Sequence, residues 1–133
     1  RNLLKLMMDN ESDFTITFRS LSDILLNNSD NFLAQFHQKD EVSGWINNWK
    51  SALNLENKKV GEIILNLNNT NPMYIPRNHQ VQKAIEESYL GNLKVLEEML
   101  EVLKNPFQEN VSLSHYSEAP SEQQRVTQTF CGT

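Results

Sequence analysis

Apolar positions recur at helical spacing along most of the chain. Phe14, Phe18, Leu21 and Leu25 fall at i, i+4, i+7 and i+11, one face of a helix beginning near Ser12. Ser12 is placed to cap that helix, and Asp13 sits at its positive end. The run Phe14-Thr15-Ile16-Thr17-Phe18 also alternates like a half-buried strand. No second strand lies nearby to pair with it, so the longer helical stripe outweighs the alternation. Asn27-Asn28-Ser29-Asp30 ends the helix, because these side chains prefer turns to helix interiors. A short helix from Asp30 to His37 then carries Phe32, Leu33 and Phe36. The next, Ser43 to Leu55, sets Trp45, Ile46, Trp49, Ala52 and Leu53 at helical spacing. Another, Lys58 to Leu67, aligns Val60, Ile63, Ile64 and Leu67 before Asn68-Asn69-Thr70-Asn71-Pro72 breaks it.

The pattern is clearest in the last two helices. Pro76 suits a first helical turn, where a missing N–H costs nothing. The helix it opens runs to Tyr89 and offers Val81, Ala84, Ile85 and Tyr89 for burial. After Leu90-Gly91-Asn92, a further helix presents Leu93, Leu96, Met99, Leu100 and Leu103 until Asn105-Pro106 stops it. So short a link makes the two an antiparallel hairpin. Beyond Phe107 the periodicity fades. The expectation is an all-α chain: an irregular helical array over residues 1–107 with a C-terminal hairpin, and an extended tail over 108–133. The stripes call for a partner surface. The opening Arg1-Asn2-Leu3-Leu4-Lys5-Leu6-Met7-Met8 reads as the end of a helix begun upstream, as in a fragment of a longer polypeptide.

Composition narrows the class. With 133 residues, 38% hydrophobic and only four Gly and four Pro, the chain fits one mostly helical domain or part of one. Net charge is −5 and both halves are acidic: seven Lys/Arg face nine Asp/Glu in residues 1–70, and five face eight in 71–133. Nucleic-acid binding needs clustered cations against phosphate, and an anionic membrane surface needs the same, so neither partner is expected. A single cysteine cannot form an internal disulfide, which fits a reducing compartment.

Candidate chemistry is sparse. There is no Gly-rich phosphate loop, HExxH, CxxC or nucleophile elbow, and His37, His79 and His115 lie in separate segments. Glu86-Glu87 and Glu97-Glu98-Glu101 fall on the polar faces of their helices. No residue is assigned to catalysis, to a cofactor or to a metal. Arg77-Asn78-His79 beside Tyr74 is the densest polar cluster. It is either an anion site at a helix N-terminus or a structural cluster whose arginine pairs elsewhere. Trp45 and Trp49, one turn apart, are core or interface anchors. Cys131, third from the end, is a sterically accessible thiol with Arg125 the nearest cation in sequence. It is either an incidental residue or a redox group.

The run Asn71-Pro72-Met73-Tyr74-Ile75-Pro76-Arg77-Asn78-His79, followed by Val81 and Ala84-Ile85, resembles a signature of the selenoprotein O family. The likeness continues through Gly91, Leu100-Glu101-Val102-Leu103, Asn105-Pro106-Phe107, Tyr116, Pro120 and the terminal Thr129-Phe130-Cys131-Gly132-Thr133. Upstream, Asp13-Phe14-Thr15, Thr17-Phe18-Arg19, Leu21 and the Trp45…Trp49 pair fit as well. Gln82, Leu67 and Asn48 depart from the family pattern. The resemblance implies the C-terminal portion of a larger protein-kinase-like chain that transfers AMP from ATP to Ser, Thr or Tyr hydroxyls. It implies magnesium or manganese for the parent protein and a bacterial, cytoplasmic setting. The nucleotide- and metal-binding residues would precede this chain, so its partners would be the N-terminal kinase-like part of the same polypeptide and the parent's protein substrates. In the family the position of Cys131 carries a redox role. The alternative is a freestanding helical interaction module that grips a partner protein through its tryptophan-bearing face.

Overall fold

Every regular element among residues 2–57 and 59–127, the part that this computed structural model describes, is helical. The chain separates into two units, Arg1–Asn71 and Pro72–Thr133, each with its own apolar core. The break falls at the Asn-Pro step that ends the first half. No helix among the described residues is long and apolar enough to cross a membrane.

The first unit assembles α1 (Leu3–Asn10), α2 (Phe14–Arg19), α3 (Leu21–Leu25), α4 (Asp30–Leu33), α5 (Lys39–Leu53) and α6 (Val60–Thr70), with a 3-10 turn at Leu55–Asn57. Leu6, Ile24, Phe32, Phe36, Val42 and Ile46 form its centre. Trp45 stacks on Phe32 at 5.7 Å and on Trp49 at 5.6 Å, and both tryptophans pack half-buried against that core. They serve as core anchors while remaining partly exposed.

The helix expected from Ser12 to Leu25 is broken at Ser20 into α2 and α3. Asp13, not Ser12, caps α2, its carboxylate accepting from the Ile16 N–H at 2.9 Å. Ser12 instead donates to the Gln35 carbonyl at 2.7 Å. The break turns Phe14 outward (63% exposed) while Thr17 becomes fully buried. α4 is shorter than expected, and turns rather than a helix carry the chain on to Phe36. α5 starts at Lys39, four residues before the expected Ser43, and ends at Leu53. α6 begins at Val60, Lys58 lying outside the described residues, and runs through the expected Asn68-Asn69 breaker to Thr70. There the Thr70 hydroxyl donates back to the Asn66 carbonyl at 2.7 Å, so a turn-prone run is held in the last helical turn.

The second unit consists of α7 (Asn78–Tyr89), α8 (Lys94–Lys104), a 3-10 segment (Val111–Ser117) and α9 (Glu122–Thr127). Pro76 precedes α7 and is not part of it; Arg77 is the residue at its N-cap. The hairpin forms as the short link requires: Gly91 takes φ +84°, a left-handed value that a side chain would strain. Its N–H donates to Ser88 O, and the Asn92 N–H to Glu87 O, closing the last turn of α7. Asn92 Oδ1 then accepts from the Lys94 N–H at 3.1 Å and opens α8. Within residues 108–133 the segment Val111–Ser117 coils and buries Leu113 and Tyr116 on the hairpin.

Thr17 has a buried hydroxyl with no hydrogen-bond partner. Thr17→Val removes that group at nearly constant volume and is expected to stabilise the unit by about 1 kcal/mol. A denaturant titration followed by circular dichroism checks this, and an unchanged or lowered midpoint contradicts it.

Candidate functional site

The Pro72–Arg77 segment is fixed by one side chain. Tyr74 is 1% exposed, and its hydroxyl both accepts from the Asn110 N–H at 3.1 Å and donates to the Asn110 carbonyl at 3.2 Å. Its own N–H and that of Met73 both donate to the Pro106 carbonyl, at 3.2 and 2.8 Å. The segment leading into α7 is thus tied to the chain leaving α8. Sequence reasoning placed Tyr74 beside a polar cluster but had no signal for Asn110, thirty-six residues away, as its partner.

Arg77 follows, 2% exposed, and Asn78 begins α7. His79, half-buried, has its Nδ1 buried without a hydrogen-bond partner. Burial and the neighbouring Arg77 charge push its pKa down, with Glu118 opposing weakly, so His79 is neutral at ordinary pH. Of the expected anion-binding cluster, Tyr74 is committed to Asn110, His79 brings no charge, and Arg77 lies inside the unit. Those positions favour the structural alternative. Below them, Tyr116 donates to Glu98 Oε1 at 2.8 Å. Burial and that bond push the phenol up to about 12, so it stays a donor throughout the physiological range.

The other feature is a groove of about 490 Å³ along α7 and α8, lined by Val81, Ala84, Ile85, Tyr89, Leu96 and Leu100 among others. Here the structure revises the expected burial. On α7 only Ala84 is buried, while Ile85 and Tyr89 are exposed. On α8 the buried residues are Val95, Met99 and Val102, at i, i+4 and i+7, leaving Leu93, Leu96 and Leu100 in the open. α8 therefore has two apolar faces. Of the expected stripe of Leu93, Leu96, Met99, Leu100 and Leu103, Met99 is buried, Leu103 is half-buried and the other three are exposed. Cys131 lies outside the described residues. Among those residues no three His, Cys, Asp or Glu side chains gather as a metal site would require.

The described residues form two all-helical units, the second carrying exposed apolar side chains on its hairpin. No protein-family model matches the chain. Curated relatives do match, each named protein nucleotidyltransferase YdiU. The one from Rhizobium johnstonii is 36% identical over 98% of the chain, that from Bradyrhizobium diazoefficiens 35% over all of it, and that from Maridesulfovibrio salexigens 30% over 99%. The chain belongs to this YdiU family and is the C-terminal portion of a protein of that type. It spans 27–28% of the length of these relatives.

The sign of the His79 shift fixes a pH dependence. A lowered pKa in the folded state means the unfolded chain takes up the proton first as pH falls. The contribution of His79 is complete above its unfolded value, about 6.5, and is lost as pH drops through its lower folded value. Unfolding midpoints measured between about pH 7 and pH 5 should fall less steeply in His79→Gln than in the parent sequence. Parallel slopes would contradict the assignment.

Proposed function

We propose that this chain is the non-catalytic, C-terminal helical part of an enzyme that transfers AMP from ATP to Ser, Thr or Tyr hydroxyls of proteins. The observation that carries the reading is the unbroken similarity to relatives named protein nucleotidyltransferases, of which this chain spans about a quarter. In that reaction the acceptor oxygen attacks the α-phosphorus, its proton passes to a base, and pyrophosphate leaves. The base, the nucleotide cradle and the ligands for magnesium or manganese belong to a kinase-like part outside these residues.

The contribution of this chain is to brace that part. Support comes from how its polar groups are spent: Tyr74 on Asn110, Tyr116 on Glu98, and Asn10 on the backbone of α1 and the start of α5. These bonds hold helices in place. The proposed setting is the bacterial cytoplasm, with the parent's protein substrates as partners. Cys131 carries the proposed redox regulation: with a disulfide as oxidant, it would join a second thiol of the same enzyme in a disulfide while the oxidant is reduced to two thiols, and a dithiol reductant would reverse the step.

Incubation with labelled ATP, manganese or magnesium, and a generic protein acceptor tests the reading. The intact parent should label the acceptor, and residues 1–133 alone should not. Labelling by the isolated chain would overturn the division of labour. For Cys131, activity of the intact parent should rise or fall on treatment with a dithiol reductant, and Cys131→Ser should abolish that response. An identical response in the variant retires the redox role.

A further inference from the structure

We draw no further inference here: the strongest candidate, the apolar groove along α7 and α8 lined by Ile85, Tyr89, Leu96 and Leu100, carries nothing because nothing in the structure shows what covers it.

Discussion

An array of short helices depends first on what becomes of helix ends. Each α-helix leaves four N–H groups and four carbonyls without an internal partner. In helices as short as the four residues of α4 or the five of α3, nearly every backbone group is an end group. The asparagine-rich composition answers this. Asn2 Oδ1 accepts from the Lys5 N–H at the start of α1, and Asn92 does the same for α8. Asn54 takes the left-handed conformation that closes α5. Buried Asn10 donates to Leu6 O while accepting from the N–H groups of His37 and Gln38, so one amide finishes α1 and positions the entry to α5. Arg19 performs the corresponding task at the far end of α6, donating to the carbonyls of Asn68 and Asn71.

The same economy explains why polar residues that look chemical in the sequence are structural in the fold. Tyr74, Asn110 and the Pro106 carbonyl form a knot between the strand-like entry to α7 and the exit from α8. That knot leaves Arg77 and His79 inside a packed unit, where the histidine is held neutral and contributes no charge to an anion. A group that must carry or relay charge needs solvent or a ligand facing it. Here burial disfavours the charged form instead.

Helix existence and the hairpin were legible in the sequence because period and link length are local signals. The boundary errors share one cause. Ser20 splits the stripe from Phe14 to Leu25 because Arg19 has to reach Asn68 and Asn71, and Asp13 takes over the cap because Ser12 is needed at Gln35. These partners are twenty-three to fifty-two residues apart, and no window of local pattern contains them. The Asn68-Asn69 breaker failed for a related reason, since turn preference yields when the carbonyls that follow are already capped by Arg19. Burial on α7 and α8 departs from the pattern in part: Ala84 and Met99 are buried as expected, while Ile85, Tyr89, Leu96 and Leu100 are not. Both α8 stripes were present in the sequence, and only tertiary packing decides which one the unit uses itself.

That decision connects fold to proposed role. Val95 and Val102 are β-branched and compact, while Leu96 and Leu100 are longer; the compact stripe is the one closed under Leu113 and Tyr116. Had the longer stripe been used internally, Val95 and Val102 would present a shallow, weakly attractive surface to anything outside. As built, the hairpin closes its own core with Val95, Met99 and Val102 and leaves Leu96 and Leu100 exposed. Exposed leucines and a tyrosine cost a free-standing domain solubility. They are tolerable in the C-terminal portion of a longer protein, and this chain spans only about a quarter of the length of its relatives.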